Sequence, residues 1–137
     1  MSIRSMVYQG LLDSLDFQGL FANEAEAIAS LYPAAPDTPT QQRWVALVWG
    51  LEDPPLGRDS NARTKALTVW AYDRNDRYDW IDRSLATTTR ILVGMEGAKD
   101  ADSSLIGITP SGRSEDLYDD AYQARTRNVL LRVAVKD

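Results

Sequence analysis

The stretch from Thr64 to Leu92 constrains the fold more than any other part of the chain. It opens Thr64-Lys65-Ala66-Leu67-Thr68-Val69-Trp70-Ala71-Tyr72-Asp73. In a strand, Leu67, Val69 and Ala71 share one face, and Thr68, Trp70 and Tyr72 share the other. β-Branched and aromatic side chains fit such a pleated surface. Asp73-Arg74-Asn75-Asp76 then breaks the alternation with turn residues. Asp76 is placed to cap a helix, and Asp79 follows three residues later, near the positive end of the helix dipole. Ile81, Leu85, Thr88 and Leu92 recur at helical spacing, and Gly94 suits the stop beyond the last turn.

Around this strand–turn–helix unit the remaining pattern is coarser. Ser2 can cap a first helix with Ile3, Met6, Val7 and Leu11 on one side. Asp13-Ser14-Leu15-Asp16 ends it. Leu20-Phe21-Ala22 reads as a short strand, and Asn23 with Glu26 resembles a capping box for a short helix that Pro33 limits. Pro33 to Thr40 carries three prolines and reads as a stiff, extended connection, or as an arm that lies on a neighbour. Arg43-Trp44-Val45-Ala46-Leu47-Val48-Trp49-Gly50 is a strand apolar on both faces, hence central or covered on its second face. Glu52 to Gly57 is a turn region and Gly94 to Ser103 a loop. Ser104 to Thr109 reads as a strand ended by Pro110. Ser111 to Tyr122 is a polar excursion, and Gln123 to Val135 a long closing strand. The expected fold is α+β: a single domain over residues 1–137, with a mostly antiparallel sheet of about four strands and helices on one face.

Composition narrows the chemistry. The chain has 137 residues, 44% hydrophobic and 26% charged, enough for one packed core. It has no cysteine and no histidine. That removes disulfides, thiolate zinc sites, the commonest general base and every Ser-His or Cys-His nucleophile pair. A net charge of −5 argues against gripping a phosphate backbone, while permitting DNA to pass nearby without sticking. No signal peptide and no stretch of about 18 apolar residues is visible, so a soluble chain made in a cytoplasm is expected.

Two acidic constellations invite a metal reading, and both have a plainer one. Ser114-Glu115-Asp116-Leu117-Tyr118-Asp119-Asp120 lacks the spacing and glycine of a calcium loop and reads as a solvated loop or a surface that meets a basic partner. Asp73, Asp76, Asp79 and Asp82 fall every third residue, yet a strand end, a helix cap and first-turn positions account for all four. Arg125, Arg127 and Arg132, with Lys136, form no basic stripe and suit an exposed strand. Trp44, Trp49, Trp70 and Trp80 divide between core and interface anchors. Thr87-Thr88-Thr89 has no base partner, and Gly107 and Gly112 make no phosphate loop. No catalytic residue, cofactor site or metal site is assigned.

Three stretches resemble the tail terminator (tail-completion) proteins of long-tailed bacteriophages. They are Val69-Trp70-Ala71-Tyr72-Asp73 leading into Tyr78-Asp79-Trp80-Ile81-Asp82-Arg83; Gly112-Arg113-Ser114-Glu115-Asp116-Leu117-Tyr118-Asp119-Asp120; and the closing strand from Thr126-Arg127-Asn128 to Arg132-Val133. They span the second half of the chain in the family's order, with Arg113 where that family favours an aromatic residue. The resemblance implies a non-enzymatic virion protein, a subunit of a ring, typically a homohexamer. Such a ring caps the tail tube, stops its polymerisation, meets the head-proximal neck protein and leaves a channel for DNA. A ring needs a heterologous interface. The expected pair is the acidic segment with Arg113, Glu115, Asp116, Asp119 and Asp120 against Arg125, Arg127 and Arg132 of the next copy. The rival readings are another neck component, such as a head–tail adaptor or stopper ring, a carboxylate-dependent Mg²⁺ enzyme acting on nucleic acid, and a stand-alone binding module of a bacterial host.

Overall fold

The computed structural model describes residues 2–52, 62–75, 77–99 and 103–136. Four helices, α1 (Ile3–Leu12), α2 (Leu15–Gln18), α3 (Glu24–Ser30) and α4 (Asp79–Val93), accompany six strands. The strands are β1 (Leu31–Tyr32), β2 (Arg43–Glu52), β3 (Ala62–Asp73), β4 (Ser104–Arg113), β5 (Leu117–Asp119) and β6 (Ala124–Lys136). They form one sheet in the order β1-β2-β3-β6-β4, with β5 also paired to β6. Only the β1–β2 pair is parallel. The fold is α+β. The sheet has six strands rather than about four because two strands, Leu31–Tyr32 and Leu117–Asp119, are too short to show a period of two.

Local chemistry sets most boundaries. Ser2 caps α1 by accepting from the Ser5 N–H, and Ser14 caps α2 in the same way through Phe17. Asn23 caps α3 through the Glu26 N–H, while the Glu26 carboxylate reaches back to the Ala22 N–H, one residue beyond the usual capping-box partner. The short strand expected at Leu20-Phe21-Ala22 is absent. The N–H groups of Leu20 and Phe21 bond back to the Phe17 and Gln18 carbonyls, so this segment is a turn whose donors are already spent. Tyr78 is the residue before α4 and offers no side-chain cap. Asp76, expected to be the cap, lies outside the described residues, as does nearly all of the turn expected at Glu52–Gly57.

β4 runs through Pro110 instead of ending there. Register shifts between Leu105 and Gly107 and between Pro110 and Gly112 interrupt its pairing with β6. β4 is an edge strand, where a proline without an N–H is tolerated and bulges blunt the edge against other strands.

The alternation in β2, β3 and β6 turns one face toward all four helices. Val45, Leu47, Leu67, Val69, Ala71, Val129, Leu131, Val133 and Val135 pack there against Ile3, Val7, Leu11, Phe17, Trp80, Ile81, Leu85 and Leu92. Burial of each large side chain contributes about 1.5–3 kcal/mol. α4 is the central prop, touching β3, β4, β6, α1 and α2. The indole Nε1–H of Trp80 donates to the Leu20 carbonyl at 2.8 Å and fixes α4 to the turn after α2.

Among the described residues, the opposite face carries no helix. A smaller aromatic cluster occupies its end near the start of β2. Trp44 and Tyr72 stack with centroids 4.7 Å apart, and the Tyr122 ring stands edge-on to both. The proline-rich segment 33–40 is strapped over this cluster. Tyr122 donates its hydroxyl hydrogen to the Pro36 carbonyl, and Arg74 donates to the carbonyls of Pro39 at 2.7 Å and Gln41 at 2.8 Å. The Arg74 guanidinium also lies 4.8 Å above the Trp44 ring. The segment lies on its own sheet, which covers the second face of β2 where its apolar residues required cover.

Candidate functional site

One end of the sheet gathers a row of charged and aromatic side chains. Register places Arg43, Asp73, Arg125 and Tyr118 side by side on β2, β3, β6 and β5. All four fall on the face that carries the helices: Arg43, Asp73 and Arg125 keep the parity of their strands' core residues, and Tyr118 follows Arg125, its partner in the pairing. The Asp73 side chain is buried. It accepts from Arg43 Nε at 3.0 Å and from the Asn75 N–H at 2.8 Å. The Arg43 guanidinium also rests 5.5 Å from the Trp80 ring centroid. Arg125 lies over the Tyr78 ring at 5.4 Å, and the Tyr78 hydroxyl donates to the Leu117 carbonyl at 3.0 Å. The residue before α4 thereby pins the short edge strand β5.

On the β2 side of Tyr78 the surface opens into a cleft of about 510 Å³ lined by Arg43, Asp73, Asn75, Arg77, Asp79, Trp80 and Arg83. It holds three guanidinium groups against the two carboxylates of Asp73 and Asp79, together with an indole, so its charge is mixed with a positive excess. A second cleft, of about 590 Å³, lies between α1 and β2, lined by Arg4, Tyr8, Pro33, Leu47 and Trp49 among others.

The eight interface candidates from the sequence separate into groups. Arg127 donates to Asp82 and lies 2.8 Å from Asp116, so these charges are met within one chain. The hydrogen bond to Asp82 raises the Arg127 pKa; burial opposes it by less, and the nearby Asp82 and Asp116 charges add to the rise. Asp119 accepts from the Tyr122 N–H. Arg125 sits on Tyr78 as described. Arg132 is on the helix-free face, opposite Ala66 of β3 and Thr109 of β4, away from the acidic segment. Arg113, Glu115 and Asp120 are exposed. Three of the four aspartates at every third position scatter: Asp73 is buried on Arg43, Asp82 is held by Arg127, and Asp79 opens α4; Asp76 lies outside the described residues. Among the described residues no three carboxylates converge as a metal site.

Sequence reasoning missed Arg43, Arg77, Arg83 and Trp80 as members of one cleft. Arg43 and Asp73 mark matched ends of adjacent strands, a signal visible only once the pairing is known.

The aromatic cluster makes stability depend on alkaline pH. The Tyr72 pKa lies well above the usual tyrosine range, chiefly because the phenol is buried, and further because the Asp119 carboxylate and Tyr122 are near. Tyr122 is shifted the same way, by burial and then by Asp119 and Asp37. A folded-state pKa above the unfolded value of about 10 favours the fold fully below that pH. The contribution then falls as pH rises, because the unfolded chain ionises first. Urea midpoints measured from pH 8 to pH 11.5 should therefore drop above about pH 10. Tyr72→Phe should flatten that drop; an unchanged slope would show that Tyr72 is not its source.

No protein-family model and no curated protein sequence matches the chain. Among solved structures, a chain of "Virion of native gene transfer agent (GTA) particle" has the same fold. The TM-score is 0.77 over 99% of this chain and 96% of that chain, at 17% sequence identity. At that identity the likeness is one of fold.

Proposed function

We propose that this chain is a structural subunit of a phage-like virion, and that it serves as a tail terminator. The observation that carries the reading is the end-to-end likeness of fold to a chain from a gene transfer agent virion, over 99% of this chain. The stretches Val69–Asp73, Tyr78–Arg83 and Gly112–Asp120, which resemble the tail-completion family, support it from the sequence side. So does the absence of both histidine and cysteine, which leaves acid–base and thiol chemistry without their usual residues.

The mechanism is one of shape. Copies join head to tail into a closed ring, a homohexamer in this reading, through unlike patches at opposite ends of one row of strands. One face of the ring fits the end of the tail tube but cannot template another layer, so growth stops. The other face meets the head-proximal neck protein, and the genome passes through the middle. A net charge of −5 disfavours adhesion of DNA within such a channel.

Negative-stain microscopy of the purified protein, alone and with tail tubes, tests the reading. Rings with a central hole that cap tube ends are the expected result. Single globules that ignore tube ends would overturn it, and rings that bind only portal-side proteins would move the chain to an adaptor or stopper position in the neck.

A further inference from the structure

We propose that the cleft over Arg43 and Trp80 receives the edge strand β5 of a second copy of this chain. Tyr118 is the anchor, and Glu115 and Asp120 face Arg77 and Arg83. The inference rests on the ring reading above and gives that ring a specific contact.

The cleft has an unmet charge. Arg43 is committed to Asp73, but Arg77 and Arg83 are exposed at the rim and form no ion pair among the described residues. Of the carboxylates lining the cleft, Asp73 is paired with Arg43 and only the exposed Asp79 offsets Arg77 and Arg83, so the rim carries a local excess of positive charge in a chain of net charge −5. Trp80 and Arg43 form its floor and already stack on each other, so a further aromatic ring entering there meets guanidinium faces.

The matching surface is at the other end of the same row of strands. β5 leaves Leu117 39% and Tyr118 57% exposed. Glu115 and Asp120 flank it, exposed and likewise without an ion pair among the described residues. A tyrosine ringed by carboxylates suits an arginine-lined cleft both as an anchor and in charge.

One chain cannot satisfy itself. Tyr118 stands three strand positions from Arg43 in their shared row, roughly 14 Å away at the usual strand spacing. The Tyr78 ring and Arg125 lie between them. Two unlike patches at opposite ends of one row of strands make a heterologous contact, which repeats from copy to copy and closes when the rotation allows. The pairing also replaces the one expected from sequence, in which Arg127 would meet the acidic segment of a neighbour. Arg127 is already occupied by Asp82 and Asp116 of its own chain.

Two experiments test the contact. The chain has no cysteine, so engineered thiols report without background. Tyr118→Cys and Arg83→Cys chains, purified separately and then mixed and oxidised, should give a covalent dimer that neither gives alone. Arg77→Glu with Arg83→Glu should weaken assembly about tenfold or more by light scattering, as should Glu115→Arg with Asp120→Arg. The chain carrying all four changes should assemble again. Circular dichroism checks that these exposed substitutions leave the fold intact. If the wild type assembles but both double variants match it and no mixed disulfide forms, the contact is wrong while the ring reading stands. If the wild type retained DNA on a gel and the Arg77→Glu, Arg83→Glu chain did not, with assembly unchanged, the cleft would be a phosphate site and the proposal would be overturned. A wild type that stays monomeric at all concentrations and on tail tubes overturns the ring and the contact together.

Discussion

Trp44→Ala should lower the stability of the fold by about 3–5 kcal/mol, the range for removing a large buried aromatic side chain. Trp44 is fully buried, yet it is not part of the main core. It stacks on Tyr72, meets the edge of Tyr122 and carries the Arg74 guanidinium on its other contacts. Aromatic pairs of this kind contribute beyond their buried area by about 0.5–1.5 kcal/mol each. The indole is also the surface on which segment 33–40 rests through Arg74 and Tyr122. Loss of the ring should therefore show in two measurements. The urea midpoint should fall, and limited proteolysis should cut within residues 33–40 while the rest of the chain stays protected. Arg74→Ala should reproduce the proteolysis with a smaller stability loss. Resistance to cleavage in Trp44→Ala would show that the strap is held independently of the aromatic cluster.

The second large effect is expected at the buried carboxylate. Arg43→Ala removes the only cation bonded to Asp73 among the described residues, and the Asp73 side chain is 1% exposed. Breaking a fully buried pair costs about 3–5 kcal/mol, because the remaining charge stays in a poorly solvating site. The Arg43 side chain is 39% exposed, and the Asn75 N–H still donates to Asp73, so the loss here should be nearer 2–3 kcal/mol. The sign of the partner test is distinctive. Asp73→Asn in the Arg43→Ala background should recover part of the loss, since it removes the stranded charge. Chemical denaturation followed by tryptophan fluorescence measures both, and the neighbouring Trp80 makes the signal sensitive to this site. A double variant less stable than Arg43→Ala would mean that Asp73 does not depend on the pair.

The structural role proposed for the chain sets the scale on which such losses matter. A subunit that works by shape needs its edges held in register by its own core. α4 provides that support: Trp80 ties it to the N-terminal helices, Tyr78 reaches β5, and Asp82 holds Arg127. The proposed contact surfaces therefore both lean on the first turns of a single helix, so a change there should disturb both sides of the ring contact at once.

Periodicity alone determined a good deal of this protein. The parity of Leu67, Val69 and Ala71, and of Val129, Leu131 and Val133, assigned the buried face of two central strands, because a strand has only two faces and one must be dry. The caps at Ser2 and Asn23 were equally legible, since each depends on residues within one turn, whereas α4 begins at Asp79, behind Tyr78, and not directly after Asp76 as the sequence suggests. Tertiary structure decided what lies far apart in sequence. The strands β1 and β5 exist only because β2 and β6 offer them partners, and β4 passes Pro110 because it occupies an edge. The meeting of Arg43, Asp73, Trp80 and Arg83 in one cleft, and the capture of Arg127 by Asp82 and Asp116, follow from the pairing of strands tens of residues apart. No local pattern encodes that pairing, because the free energy that selects it is the burial of the whole shared face.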